Sequence, residues 1–328
     1  MSLDADTIVD RRRMRRKLSF WRAFALLAAI CLVLAVAAAL RAPGTGILPG
    51  APGASIARVT ITGLIRSDRE RVEALDRLGN SSSKAVIVHI NSPGGTTAGS
   101  EELHDSLRRL NERKPMVVVV DGLAASGGYI AALAADHIVA GETSLVGSIG
   151  VLFQYPNFSD LMKTVGVKVE EVKSSPLKAA PNGFEPTSPE ARAALDALVK
   201  DSYAWFKGLV KDRRGMDDTQ LEKVADGRVF TGRQAVDLKL VDQLGDEKTA
   251  VAWLVEQKGV KKDLPVRDYK LNSQFGDLTF LRTAASIVLD AVGLNALARQ
   301  IGQAGMAQAI DRLSLDGMLA LWQPTASN

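Results

Sequence analysis

Two glycine-bearing turns follow apolar runs of the chain, and one of them carries a serine that could act as a nucleophile. The turns are NSPGG at 91–95 and AASGG at 124–128, which contains Ser126. Backbone N–H groups at the start of a helix favour a developing negative charge, and glycine lets an amide approach a substrate closely. We therefore predict that the amides of Gly127 and Gly95 stabilise the oxyanion formed when Ser126 attacks a carbonyl.

A serine nucleophile needs a neighbouring group to take its proton, because free serine is weakly nucleophilic. A serine at such a turn is also a common helix cap, so the presence of a base decides between the two interpretations. The three histidines, His89, His104 and His137, are scattered and stand in no suggestive context. Lysine is the favoured base, since apolar surroundings lower its pKa toward neutrality. The same scattering predicts no metal site, and the chemistry requires no cofactor.

Six sequence blocks, in this order, resemble the bacterial signal peptide peptidase A family. They are NSPGG at 91–95, AASGGY at 124–129, AADHIVA at 134–140, ETSLVGSIGV at 142–151, VKSSPLK at 172–178 and DGRVFTGRQAVDLKLVDQLG at 226–245. That family comprises Ser/Lys-dyad serine peptidases of the Clp protease and crotonase-like superfamily. The resemblance covers most of residues 56–250. The single catalytic block resembles the short, single-domain members, so it implies a homo-oligomer.

The resemblance implies a role for individual residues. The nucleophile falls on Ser126 and the general base on Lys178, with Lys173 as the competing candidate. The hydroxyl that orients the lysine falls on Ser148. After Lys178 the chain reads AAPN, where many relatives have an acidic residue and a longer polar stretch. This departure leaves open how the base is positioned and whether it acts within one chain or across a subunit interface.

The resemblance also implies a substrate class, namely signal-peptide remnants and other short hydrophobic peptides. Two other hypotheses compete: a crotonase-like acyl-CoA enzyme, and a catalytically silent membrane scaffold of the same fold. Acyl-CoA is cytoplasmic, whereas the N-terminal apolar run described below is expected to place the domain outside the cytoplasm. Acyl-CoA enzymes of this kind also usually place Glu or Asp where a proton is transferred. Both points disfavour the first hypothesis. The presence of both Ser126 and Lys178 disfavours the second.

Apolar runs that read as strands alternate with amphipathic runs that read as helices, which predicts an α/β fold with parallel strands and crossover helices. The predicted strands are 57–62, 85–90, 116–121 and 137–140, and the predicted helices are 68–78, 98–111 and 128–135. A longer helix is predicted to start at Ser188-Pro189, and Thr231 to open another through a capping box. The resemblance specifies this fold as Clp protease/crotonase-like.

Residues 23–40 are all apolar and are long enough to form a transmembrane helix. A basic cluster precedes them, which keeps residues 1–22 in the cytoplasm and sends the remainder across. We therefore expect a single-pass anchor in a bacterial inner membrane, in contact with lipid, and a catalytic domain on the periplasmic or extracytoplasmic side. A cleaved secretory signal and a buried core helix are the alternatives.

The remaining regions differ in amino-acid composition. Residues 41–55 are rich in Gly, Pro and Ala and are predicted to be a linker, followed by a peptidase domain at 56–264. Residues 265–328 are predicted to form an amphipathic helical extension against a neighbouring subunit or the bilayer, or else a flexible tail. The net charge of +4 comes largely from the N-terminal cluster, so no nucleic-acid partner is expected. The one cysteine, Cys31, lies in the apolar run, which excludes cysteine catalysis in the domain.

Overall fold

A computed structural model of the chain describes residues 54–271 and the backbone of one further strand near the C-terminus. The strands in this part are β1 (Ile56–Ile65), β2 (Ala85–Thr96), β3 (Met116–Ala125), β4 (His137–Ala140), β5 (Leu145–Gly147), β6 (Val229–Thr231), β7 (Gln243–Leu244), β8 (Val266–Asp268) and β9 (Leu319–Leu321). The helices are α1 (Arg69–Gly79), α2 (Thr97–Arg113), α3 (Gly127–Ala132), α4 (Ser159–Thr164), α5 (Pro189–Arg214), α6 (Asp218–Glu222), α7 (Gly232–Asp237) and α8 (Glu247–Lys258).

These strands form one mixed sheet in which most neighbours are parallel. The order along its main path is β6-β5-β3-β2-β1-β8, with β4 beside β3, β7 beside β4, and β9 beside β2. The two antiparallel pairs in the described chain are β2 with β9 and β5 with β6. Parallel neighbours need a crossover, and α1 and α2 supply the ones that join β1 to β2 and β2 to β3. The predicted α/β fold is confirmed.

The central strands are apolar at nearly every position because helices cover both of their faces. Val86, Val88 and Ile90 of β2 belong to the larger core, which they share with side chains of α1, α2 and α3. Ile87, in the alternate register, packs with Leu254 of α8 in a second core. Successive side chains of a strand point to opposite faces, so each run supplies both cores.

The strands and helices predicted before residue 265 are present, but one predicted turn and the start of the other are parts of strands. NSPGG belongs to β2, whereas only Ala124 and Ala125 of AASGG belong to β3, since Ser126 is a turn residue and Gly127 begins α3. The ladder between β2 and β3 shifts register between Ile90 and Ser92, and the β1 ladder shifts near Gly63. Both ladders thus continue past an irregularity, and a prediction from single segments could not show this.

Caps read from the sequence are also present. Ser188 accepts a hydrogen bond from the Ala191 N–H at the start of α5, and Thr231 forms the capping box of α7 with Gln234. The segment predicted to be helical from 265 onward begins with a strand instead, since β8 pairs with β1 in parallel. β9 lies in the same segment, whose residues 272–318 and 322–328 lie outside the described residues, as do the predicted anchor at 23–40 and nearly all of the linker at 41–55.

Across the stretches that the structure describes, none of the helices combines the length and the apolar character that a membrane crossing requires.

Candidate active site

Ser126 stands at the end of β3, in a backbone conformation that few residues other than glycine adopt. Its φ is 53° and its ψ is −116°, and the residue is 1% exposed. Such a conformation costs about 1–3 kcal/mol and persists only where surrounding contacts enforce it. Its N–H donates to the Gly147 carbonyl at 2.7 Å, and its carbonyl accepts from the N–H groups of Tyr129 and Ile130. The turn is therefore held from both sides.

Gly127, one of the two predicted oxyanion donors, lies at the start of a helix. Gly127 is the first residue of α3, and the first N–H groups of a helix have no carbonyl partner within the helix. It directly follows Ser126, so its N–H lies next to the nucleophile. The structure thus brings this predicted pair together.

Gly95 lies on the extension of β2, close to the same turn. Ser92 of this extension pairs with Ala124 of β3, two residues before Ser126. A Cβ on Gly128 would lie 2.6 Å from the Ser92 carbonyl oxygen, so α3 packs directly on the extension. A Cβ on Gly95 would lie 1.8 Å from the Ile65 carbonyl oxygen, so only glycine fits there.

Ser148 belongs to a loop that wraps around the nucleophile. Ala125 pairs with Gly147, and the Ser126 hydroxyl donates to the Gly150 carbonyl at a long 3.4 Å. Ser148 is buried, has a φ of 51°, and donates its N–H to the Arg228 carbonyl at 2.8 Å. Ser148, the predicted helper residue, therefore belongs to the loop that contacts Ser126 through Gly147 and Gly150.

Several residues that position this turn were not predicted from the sequence. Ser92 donates its hydroxyl to the Gly63 carbonyl at 2.7 Å and accepts from the Gly94 N–H. Two arginines hold the chain just beyond α3: Arg213 donates to the carbonyls of Leu133 and Ala135, and Arg108 donates to that of Ala134. Their sequence signal is weak, because an arginine that binds a distant carbonyl has no characteristic spacing.

Lys178, the predicted base, does not meet Ser126 within a single chain. Lys178 is exposed and follows a tight turn in which its N–H donates to the Ser175 carbonyl. In the described part of the chain its ammonium group makes no hydrogen bond or ion pair, and the Ser126 hydroxyl bonds only to Gly150. The structure thus places Gly127, Gly95 and Ser148 in the region of Ser126, but it does not bring Lys178 into contact with the Ser126 hydroxyl.

Lys173, the competing candidate, is held as a cation. Its ammonium lies 2.5 Å from a Glu171 carboxylate oxygen and 2.8 Å from one of Glu185. Hydrogen bonds to these carboxylates, first to Glu171, raise the pKa of Lys173 above its ordinary value. A lysine that retains its proton this strongly is a poor general base, which weakens this alternative.

Lys178 and Lys173 belong to an outward-facing segment, residues 153–187, which we call the arm. Nine of the eleven exposed large hydrophobic side chains in the described residues lie on it. They are Phe153, Phe158, Leu161, Val165, Val167, Val169, Val172, Leu177 and Phe184. An apolar surface of this extent is typical of an interaction site.

A buried serine at a strained turn, between a helix-start amide and a glycine-lined strand, is an arrangement suited to acyl transfer. Tyr129, three residues after Ser126, donates its hydroxyl to the Leu240 carbonyl at 2.7 Å, and burial raises its pKa, so it remains neutral. Comparison with known proteins supports the same class of chemistry, because two protease family models match the chain. The model of peptidase family S49 matches residues 108–261, and that of Clp protease matches residues 67–141.

The fold and the site therefore define a serine peptidase of Clp protease-like architecture. The chain belongs to peptidase family S49. It is 36% identical to slr0021 of Synechocystis, a protein named as a protease, over 63% of this chain and 76% of that protein. It is 34% identical to MJ0651 of Methanocaldococcus jannaschii, also named as a protease, over 63% of this chain and 67% of that one.

A third relative carries a more specific name. A protein of Enterococcus faecium named as a signal peptide peptidase, SppA, is 34% identical over 57% of this chain and 54% of its own length. Among solved structures, a ClpP1 mutant from Listeria monocytogenes aligns over 58% of this chain and 91% of its own, with a TM-score of 0.40 and 17% identity.

Proposed function

We propose that this chain is a membrane-anchored serine endopeptidase that hydrolyses short hydrophobic peptides, including signal-peptide remnants, through an acyl-enzyme. The observation that carries the proposal is the buried, positive-φ Ser126 at the end of β3, followed directly by Gly127 at the start of α3. The name of the Enterococcus relative supports the substrate class.

The proposed reaction uses groups of the protein alone. Neutral Lys178 removes the Ser126 hydroxyl proton while the oxygen attacks the peptide carbonyl, and the N–H groups of Gly127 and Gly95 donate to the oxyanion. The charged lysine then gives the proton to the leaving amine as the C–N bond breaks, leaving an ester on Ser126. Water activated by the lysine hydrolyses that ester. The Ser148 hydroxyl accepts a hydrogen bond from the ammonium and orients it.

Lys178 reaches Ser126 in a homo-oligomer, through the arm of a neighbouring copy. Two features support this. Lys178 is exposed and makes no side-chain bond in the described part of the chain, and the arm around it presents apolar side chains to solvent. Packing the arm on a second copy would remove that surface from water and place the lysine in the apolar surroundings that make it a base.

The domain works on the extracytoplasmic side of a bacterial inner membrane, where hydrophobic peptides emerge. The apolar run at 23–40 and the preceding basic cluster support a single-pass anchor with a cytoplasmic N-terminus. A protease added to spheroplasts should digest the domain at 56–264. Digestion only after lysis would contradict this topology.

The test of catalysis compares alanine substitutions of the nucleophile and of the two candidate lysine bases. Full-length protein in detergent is assayed with a fluorogenic hydrophobic peptide, as wild type, Ser126→Ala, Lys178→Ala and Lys173→Ala. Ser126→Ala and Lys178→Ala should each lower kcat by about a thousandfold or more, whereas Lys173→Ala should retain most activity. Loss in Lys173→Ala alone would reverse the assignment of the base. A wild type no faster than Ser126→Ala would refute the peptidase.

Mixing the two inactive variants tests whether the base comes from a neighbour. Oligomers assembled from Ser126→Ala and Lys178→Ala chains contain interfaces where an intact Ser126 meets an intact Lys178. Co-expression should therefore restore about a quarter of wild-type activity if assembly is random. No recovery from mixed oligomers would place the dyad within one chain.

A further inference from the structure

One edge of β2 pairs first with β3 and then, beyond the end of that ladder, with β9. On one side, β2 keeps β1 as its neighbour as far as Gly95. On the other side, β2 pairs with β3 as far as the Ser92–Ala124 pair. From Gly94 to Thr96 that second edge pairs with β9 in antiparallel orientation, with Gly95 opposite Ala320. Because β3 ends just before Ser126, β9 lies along the edge that faces the nucleophile.

An edge strand offers its backbone N–H and C=O groups to one neighbour at a time. An extended peptide that adds to a sheet edge binds through these same groups. The groups of Gly94–Thr96 that pair with β9 are therefore not free for another strand. This stretch includes Gly95, one of the two predicted oxyanion donors.

We propose that residues 319–321 are an internal competitor that occupies the peptide-binding edge beside Ser126 and must leave before a peptide can bind. This proposal rests on the proposed peptidase function. The sequence around β9, GMLALW at 317–322, is itself short and hydrophobic, like the proposed substrates. A segment of the same chain binds in an intramolecular step, which favours it over free peptides that bind weakly.

Competition of this kind lowers apparent affinity without changing the chemical step. Only molecules in which β9 has detached can bind a peptide, so the apparent dissociation constant rises by the inverse of that fraction. Once a peptide is bound, β9 is absent from the edge and the turnover rate is that of the unobstructed site. The proposal therefore predicts a change in KM and not in kcat.

The test uses matched proline substitutions in the full-length chain. Ala320→Pro removes a backbone N–H and fixes φ at the centre of β9, whereas Ala326→Pro makes the same change six residues further on, beyond the strand. A chain ending at Met318 provides a second disruption. The primary readout is binding of a fluorescent peptide with the sequence of residues 316–322, in a Ser126→Ala background without turnover.

Ala320→Pro and the shortened chain should bind this peptide at least about threefold more tightly than the parent, and Ala326→Pro should match the parent. With Ser126 restored, the same changes should lower KM and leave kcat unchanged. Equal binding by all chains, or a change in kcat alone, would overturn the competitor. Because the binding readout needs no catalysis, its failure is separate from failure of the peptidase, which is judged by hydrolysis that depends on Ser126.

Discussion

At the scale of single residues, the candidate site depends on positions where any other side chain meets an obstacle. Gly95 is one of them, since a Cβ there would lie 1.8 Å from the Ile65 carbonyl oxygen. That oxygen belongs to β1, which is buried in the sheet and cannot move aside without breaking its ladder. Gly208 in α5 differs, because a Cβ there would meet nothing within 4 Å apart from its own helix backbone.

Alanine at these two glycines should act in opposite directions. Gly95→Ala should lower the free energy of unfolding by about 3 kcal/mol or more and abolish hydrolysis. Gly208→Ala should raise it by about 0.5–1 kcal/mol, because alanine restricts the unfolded chain and favours the helix. Urea unfolding of both variants provides the comparison. A Gly95→Ala protein as stable as wild type would mean that β1 yields at Ile65.

At the scale of elements, a polar network joins the start of α8 to the sheet beside the second core. Glu247, the first residue of α8, accepts two hydrogen bonds from Arg58 of β1 and contacts His89 of β2 at 2.9 Å. Arg58 also pairs with Asp268 of β8, and the other His89 nitrogen lies 2.8 Å from Asp121 of β3. These contacts attach α8 to strands far apart in sequence.

This network should make the stability of the domain depend on acid. Hydrogen bonds from Arg58, and then from His89, lower the pKa of Glu247 below its ordinary value of 4.5. The ionised carboxylate therefore stabilises the fold above about pH 4.5, and that contribution is lost as the pH falls through the lowered pKa. Glu247→Gln should be less stable than wild type at pH 7, and the difference should shrink below pH 4.5.

Urea unfolding at pH 7, 5, 4 and 3 measures this difference. Glu256→Gln is the matched control, because Glu256 is an exposed glutamate of the same helix with no ion pair in the described part of the chain. It should track wild type at each pH. A constant gap between wild type and Glu247→Gln across this range would show that the loss is not linked to the carboxylate.

At the scale of the whole molecule, the arm is the part of the domain whose apolar side chains a single chain leaves exposed. The main core buries its apolar residues almost completely, whereas Leu161 of α4 is 60% exposed and Val172 wholly so. Removing exposed apolar surface from water lowers the free energy of the protein. The proposed partner that covers this surface is a second copy of the chain. Assembly would then cover the apolar surface of the arm and bring Lys178 of one copy to Ser126 of another.

Charged substitutions on and off the arm test this assembly. Leu161→Asp should shift the protein to smaller species in light scattering and lower peptidase activity by at least about tenfold, because a buried aspartate disfavours the interface. Leu198→Asp changes a leucine that is 53% exposed on α5, outside the arm, and should preserve both mass and activity. Equal mass for the two variants would remove the arm from the interface.

The sequence by itself determined the alternation of strands and helices, the caps at Ser188 and Thr231, and the neighbourhood of Ser126, Gly127, Gly95 and Ser148. These features depend on local patterns: apolar periodicity, turn residues at strand ends, and blocks shared with a family. The roles assigned to these residues remain predictions, as do the anchor at 23–40 and most of the segment from 265 onward.

Only the tertiary structure decided three things. It showed that NSPGG continues β2 and that Ala124 and Ala125 continue β3, because neighbouring strands pair with both stretches. It separated Lys173, paired with two glutamates, from Lys178, which has no side-chain partner in the described chain. It also placed β9 beside Gly95, more than two hundred residues away in sequence. The first and the third depend on which distant segments come together, and contacts of that kind leave no local pattern of residues to read. The pairing of Lys173 depends on how residues 171–185 fold.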